Sequence, residues 1–98
     1  MRWEYIAVYI MASCKNGTLY IGVTSNLIKR IYEHKHNVVD GFTKKYNVHS
    51  LVYFEPYETM EAAIHREKRP KKYTRQMKIK LIEKNNSDWN DLYEAIAA

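Results

Sequence analysis

The sequence predicts an α+β domain, a small sheet with helices packed on it, in the order β-β-α-β-α-α. Three observations point there. Residues 4–12, EYIAVYIMA, are apolar on both strand faces, the pattern of a central, covered strand. Asn16-Gly17 follows directly, and this pair favours a tight hairpin, because both central positions of a type I′ turn need positive φ. After the hairpin, apolar residues recur at helical spacing, interrupted by one further strand-like run, HSLVYFE at 49–55.

Each element has a local reason. The hairpin pairs 4–12 with a strand over 18–23, antiparallel because the turn is short. Thr24 or Ser25 caps the first helix, whose buried stripe is Leu27, Ile28 and Ile31. Residues 37–47, NVVDGFTKKYN, read as a polar, flexible loop. Pro56 ends the third strand. A second helix spans 59–69, with Met60, Ala63 and Ile64 inward. Pro70 stops or kinks it, lacking the N–H and crowding the preceding turn. A third helix covers about 73–85, with Met77, Leu81 and Ile82 inward, and SDWNDLYEAIAA closes as a turn and a short helix. The 98 residues make one domain, 1–98, with no repeat, linker or low-complexity segment.

Composition excludes several classes. Hydrophobic residues are 46% of the chain, too many for disorder. No run approaches the ~20 apolar residues of a membrane helix. MRWEYIAVYIMAS reads as a strand entering a turn rather than a signal peptide, since Glu4 and two tyrosines interrupt it. Cys14 is the only cysteine, so no internal disulfide forms, and a cytoplasmic location is expected. His36, His49 and His65 have no zinc-ligand spacing with Cys14. The formal charge is +5, and Arg66, Lys68, Arg69, Lys71, Lys72, Arg75, Lys78 and Lys80 cluster around the single acid Glu67. Such a block fits a polyanion bound through its phosphates, and equally fits a solvated helix face.

The hairpin also places side chains. With Asn16-Gly17 as the whole turn, opposed residues sum to 33 and Tyr20 lies opposite Ser13. Ser13 and Tyr9 are four apart on one strand, so Tyr9, Tyr20 and Gly22 share a face. Gly22 then leaves an opening on that face, or marks a bulge before the helix. Arg30 and His34 are one turn apart beside the Leu27–Ile31 stripe. Taken alone, each is equally an ordinary surface residue.

Together these residues resemble a known family. AVY (7–9), YIG (20–22), Arg30 eight residues past the glycine, and Glu67 far downstream resemble the GIY-YIG nuclease superfamily. The likeness covers residues 4–92. It is closest to small stand-alone members similar to the N-terminal nuclease domain of the bacterial excision-repair endonuclease. LYIGVTSNLIKRIYEHK (19–35), GFTKKYNVHSLVYFE (41–55), AIHREKRPKKYTRQMKIKLIEK (63–84) and DWNDLY (88–93) carry it. The resemblance implies a three-stranded antiparallel sheet flanked by helices, and metal-dependent cleavage of DNA phosphodiester bonds, with DNA repair or recombination as a setting. No membrane and no small-molecule cofactor enter that chemistry.

The family's roles carry over residue by residue. Tyr9, Tyr20 and Gly22 match the tyrosines and glycine of the two motifs, Arg30 the helix arginine, and Glu67 the metal-binding glutamate. His34 holds a position where the family uses histidine or tyrosine. The chemistry needs these types. A guanidinium offsets charge on the phosphate oxygens, which falls to Arg30. Mg²⁺ or Mn²⁺ binds through one or two carboxylates plus waters and phosphate, which falls to Glu67. Tyr9 is the expected base, supported by Tyr20, and it needs nearby cations to lower its pKa of ~10. His34 shuttles a proton or contacts the phosphate. Lys44, Lys45, Arg66, Lys68, Lys71, Lys72 and Arg75 are the expected nucleic-acid contacts, with Phe42 and Tyr46 along the same path. Ala7 replaces the first glycine of the family name, Val23 stands where excision-repair relatives carry lysine, and Pro70 and Tyr73 depart from the usual helix. These departures keep a second reading open, a nucleic-acid-binding module with a degenerate, inactive site. A late asparagine completes many such sites, and Asn85, Asn86 and Asn90 are the candidates here.

Overall fold

The computed structural model describes residues 5–36 and 41–97. Glu4, Trp3 and residues 37–40 of the expected loop lie outside them. The elements are β1 (Ile6–Ala12), β2 (Leu19–Thr24), α1 (Leu27–Lys35), α2 (Phe42–Lys45), β3 (Ser50–Tyr57), α3 (Met60–Lys71), α4 (Arg75–Glu83) and α5 (Tyr93–Ala97). The sheet is antiparallel in the order β2-β1-β3. β1 is central, and residues 7–12 are completely buried, as an unbroken apolar strand requires.

Alternation along β1 divides the core. Val8, Ile10 and Ala12 pack with Val52, Ala63, Ile82 and Trp89, on the face covered by α3 and α4. Ala7, Tyr9 and Met11 pack with Leu27, Ile31, Val48 and Leu51, on the face covered by α1 and α5. A bulge between Ile10 and Met11 makes Val52 the extra residue of β3.

The hairpin differs from the expected two-residue turn. Opposed residues of β1 and β2 sum to 31, as in Tyr9–Gly22 and Met11–Tyr20. The loop runs over 14–17, closed by Gly17 N–H donating to Cys14 O at 2.9 Å and Ser13 N–H donating to Thr18 O at 3.0 Å. Thr18 N–H donates to the Ser13 hydroxyl at 2.9 Å. Only Asn16 takes positive φ, at 62°. The Arg75 guanidinium donates to the carbonyls of Asn16 and Gly17, both at 2.6 Å. A side chain 58 residues away thus supports a turn that local propensity alone would make tighter. The shift is two residues, an even number, so every side chain keeps its expected face.

Other boundaries moved for similar reasons. Asn26, rather than Thr24 or Ser25, caps α1 by accepting from Lys29 N–H, while the Thr24 hydroxyl accepts from Asn26 N–H. α1 buries Leu27, Ile31 and His34, and Ile28 is only half-buried. The expected loop contains α2, entered through Gly41 at φ 112°. Pro56 does not end β3 but pairs with Ala7, tolerated because β3 is an edge strand with one neighbour. Pro70 lies inside the last turn of α3, which ends one residue later. Ile64 and Met77, expected inward, are exposed. The buried stripe of α3 is instead Ala63, Glu67 and Pro70.

Trp89 is buried, as its size suggests, with its indole N–H donating to Glu83 at 2.6 Å. Buried Asn86 donates to the carbonyls of Val52 and Asn90 and accepts from Asn90 N–H. This holds the closing turn to β3, so Asn86 is a structural bracket. Replacing it removes three hydrogen bonds and orphans buried backbone groups. Asn86→Ala is therefore expected to lower unfolding free energy by about 2–3 kcal/mol, read by denaturant titration.

Candidate active site

The site grows from the pairing of Tyr9 with Gly22. The two are directly opposed, and a Cβ on Gly22 would lie 2.6 Å from the Tyr9 hydroxyl and 3.0 Å from the Tyr20 ring. The glycine therefore does not leave an open floor. Its missing side chain is the space that the Tyr9 ring fills. Tyr9 is 0% exposed.

α1 lays its buried stripe over this face and brings in His34, 5% exposed. The Tyr9 hydroxyl and His34 Nε2 are 3.2 Å apart. Nδ1 of the same ring is 2.9 Å from the hydroxyl of buried Thr43 on α2. Tyr20, half-buried, meets the edge of the His34 ring and stacks on Phe42 with centroids 6.0 Å apart. Phe42 in turn packs on Tyr46. Tyr20 and Thr43 thus flank the Tyr9–His34 pair, with Phe42 and Tyr46 packed in turn beyond Tyr20.

Charge surrounds this pair. Arg30 lies on the His34 face of α1, its side chain 40% exposed, with Nε 3.4 Å from Glu33. It lines a cleft of about 490 Å³ with Lys29, Thr24 and Asn26. Burial raises the Tyr9 pKa well above the ordinary tyrosine value, and Tyr20 and Glu67 push the same way. The positive charge of Arg30 opposes them. This reverses the expectation that nearby cations depress the Tyr9 pKa, because one arginine does not offset full burial. Burial also lowers the His34 pKa, and the positive charge of Arg30 lowers it further, so the imidazole is neutral at pH 7.

Glu67 sits on the buried stripe of α3, with one carboxylate oxygen 2.7 Å from Lys71 Nζ. Lys71 and Lys78 line a cleft of about 270 Å³ with Leu19, Tyr20, Ile21 and Phe42, which runs along the β2 edge. The end of α3 therefore meets the tyrosine face at the sheet edge. Among the described residues no group of three or more His, Cys, Asp or Glu is disposed to hold a metal. A single buried carboxylate fits a hard divalent ion that takes its remaining ligands from water and phosphate, and it does not fit a closed zinc centre.

The residues 5–80 match the family model of the GIY-YIG catalytic domain. The chain belongs to the GIY-YIG family. A UPF0213 protein of Staphylococcus saprophyticus is 39% identical over 75 residues, covering 76% of this chain and 90% of that protein. A UPF0213 protein of Staphylococcus aureus is 40% identical over the same span. The solution structure of a UPF0213 protein from Bacillus halodurans superimposes with a TM-score of 0.55 at 25% identity, covering 91% of this chain and 94% of that one. The GIY-YIG domain is of nuclease type, which implies DNA as the class of substrate and a divalent metal as the usual helper. No helix among the described residues is long and apolar enough to cross a membrane.

Within this GIY-YIG frame, Tyr9, Tyr20, His34 and Arg30 come together, and the charge of Glu67 reaches Tyr9. Val23 faces the other way, packed on the α3-side core. The basic residues divide. Arg66 is held by Glu55 in a two-bond fork at 2.8 and 2.9 Å, with Tyr53 and Tyr57 donating to the same carboxylate. Arg75 holds the hairpin and Lys71 pairs with Glu67. Lys44, Lys45, Lys68 and Lys72 are exposed, Lys45 beside the Tyr46 ring. Sequence reasoning missed Thr43. Its only signal was a threonine next to Phe42, and nothing local ties it to a histidine nine residues earlier.

Two outcomes follow. Gly22→Ala forces the Tyr9 ring to move and should destabilise the fold by about 1–3 kcal/mol, with a shifted tyrosine–histidine contact visible by NMR. The lowered His34 pKa means the unfolded chain binds a proton more readily than the native one. Stability should therefore fall as pH drops below the ordinary histidine value of 6.5, and His34→Gln should flatten that part of a denaturation-versus-pH curve.

Proposed function

We propose that this protein is a divalent-metal-dependent DNA endonuclease. The observation that supports this best is the packing of Tyr9, Tyr20 and His34 in one cluster, with Arg30 and Glu67 near enough for their charges to act on Tyr9, from four different elements. A set of core or surface residues with no shared task has no need of that convergence.

Arg30, partly exposed beside Lys29, binds the phosphate and offsets its growing negative charge. Glu67 would hold Mg²⁺ or Mn²⁺, exchanging Lys71 for the ion. When bound, the ion supplies Lewis-acid activation of the phosphate and its leaving oxygen. Tyr20, facing the cleft at the β2 edge, orients the substrate. Tyr9 is too deeply buried, and its pKa too high, to stand as a free phenolate. It acts as a relay. As the attacking water loses a proton to the Tyr9 oxygen, the original hydroxyl proton passes to His34 Nε2. The O–H bonds of water and of tyrosine break while a new O–H and an N–H form, leaving an imidazolium. A neutral His34 is what this step requires. Exposed Lys44, Lys45, Lys68 and Lys72 attract the flanking backbone, with Arg66, Lys71 and Arg75 tuning the same field from their internal pairings. A role in DNA repair or recombination rests on the likeness to the excision-repair nuclease domain, and a cytoplasmic location on the single cysteine.

The enclosure of Tyr9 favours one alternative, a DNA-binding module whose site is inactive. A nicking assay on plasmid and branched DNA separates the two. The nuclease reading expects cleavage with Mg²⁺ or Mn²⁺, abolished by EDTA. It also expects losses of about 100-fold or more in Glu67→Ala, Arg30→Ala and Tyr9→Phe. Salt-sensitive binding that ignores EDTA, with no cleavage under any metal, would mean the module reading is right.

A further inference from the structure

Phe42 opens α2 and Tyr46 caps its C-terminal end, and both side chains are close to half exposed, at 45% and 46%. Their ring centroids are 4.8 Å apart, and Phe42 stacks on Tyr20 at 6.0 Å. Three rings from two parts of the chain thus form one continuous aromatic surface. A single exposed aromatic needs no explanation, but a joined set rimmed by charge does. Anchoring α2 does not account for it, because the residue that α2 buries is Thr43.

The cleft of about 270 Å³ at the β2 edge opens on this surface. Leu19, Tyr20, Ile21 and Phe42 make its apolar wall, and Lys71 and Lys78 its charged one. Lys71 is shared with Glu67 at 2.7 Å, whereas Lys78 is half-buried beside the apolar wall. Lys45 adds a third cation, its Nζ 5.4 Å from the centre of the Tyr46 ring. Among the described residues no carboxylate lines the cleft.

This pairing of walls selects the chemistry of a ligand. A purely anionic group has no use for the rings, and an apolar one has none for the lysines. A nucleobase with its adjoining phosphates uses both, since any base can stack its face on an aromatic side chain while the backbone takes the cations. A base inside a duplex shows only its edges in the grooves, so the base that enters is an unpaired one. An acidic peptide with an aromatic side chain would use the same two walls, but the surroundings favour the nucleobase. Tyr20 touches Phe42 on one side and the Tyr9 and His34 rings on the other, so the cleft lies one ring from the candidate active site. We propose that this cleft is a stacking slot for one unpaired nucleobase. Phe42 supplies the stacking face, and Lys78 with Lys45 holds the adjoining phosphates. That the strand is DNA rests on the nuclease reading; the demand for an exposed base face rests on the rings.

The test is fluorescence anisotropy at low salt, without divalent metal so that no strand is cut. Three probes are compared: a short labelled single strand of DNA, the same strand with abasic residues in place of its central bases, and the matching duplex. The wild type should bind the intact strand about tenfold or more tighter than the other two. Phe42→Leu keeps an apolar side chain but removes the ring, and should lose most of that preference while binding the abasic strand and the duplex as before. Phe42→Trp should retain the preference. Lys78→Met should weaken all three probes together. Equal wild-type binding of the intact and abasic strands overturns the slot, and so does a Phe42→Leu protein that still discriminates between them. Binding of none of the three also overturns it and leaves the acidic peptide as the occupant. The nicking assay is read separately. A protein that prefers the intact strand yet cuts nothing keeps the slot and overturns the nuclease reading, and one that cuts DNA without that preference does the reverse.

Discussion

The packing of the Tyr9 ring against a residue with no side chain is the constraint on which the site depends. An aromatic ring at the centre of a sheet needs a neighbour that yields its volume, and Gly22 is that neighbour. The burial that follows has two consequences. It stabilises the sheet through the apolar area of the ring. It also removes a hydroxyl from water, and a buried hydroxyl needs a partner. His34 is that partner, and it in turn needs Thr43. One steric fact at Gly22 thus propagates through three elements into a fully paired polar chain. Among the described residues no buried side-chain nitrogen or oxygen lacks a hydrogen-bond partner.

Electrostatics follow the same geometry. Burial pushes Tyr9 and His34 in opposite directions on the pH scale, since it disfavours the charged form of each, phenolate and imidazolium. Both are neutral at pH 7, which is the state a proton relay starts from. Arg30 is partly exposed and keeps its charge available at the cleft. Glu67 is the reverse case, an acid on the buried stripe of a basic helix, balanced by Lys71 one turn on. The positive block of the sequence is therefore not a uniform surface. Arg66 secures the edge strand through Glu55, where Tyr53 and Tyr57 add their hydroxyls. Arg75 secures the hairpin. Complementary partners make these arginines structural, Arg66 half-buried and Arg75 at the surface, while Lys45, Lys68 and Lys72 stand exposed at the helices.

Much of the fold was legible because it rests on periodicity. An apolar run with both faces covered marked β1, and the motif residues on β1, β2, α1 and α3 followed from spacing and from the family resemblance. The shared face of Tyr9, Tyr20 and Gly22 survived a wrong register, because the error was two residues and the pleat repeats every two. What could not be read were features that depend on distant partners. Arg75 reshaped the turn at Asn16-Gly17. Pro56 stayed in a strand because that strand became an edge. Ile64 and Met77 followed helical spacing yet face outward: α3 buries Ala63, Glu67 and Pro70 instead, and α4 buries Ile82. Short α2 had no apolar period to announce it.

The division has a physical cause. Sequence by itself determined the element types, the alternation of faces, the family and the identities of the chemical groups, all of which are set by neighbours within a few residues. Only the tertiary structure decided that Gly22 is filled rather than open, that Tyr9 is fully enclosed with a raised pKa, and that Thr43 completes the chain of hydroxyl and imidazole. Desolvation, steric filling and hydrogen bonding between groups nine to sixty residues apart arise only when the sheet and helices have closed on one another. A local pattern carries no record of them.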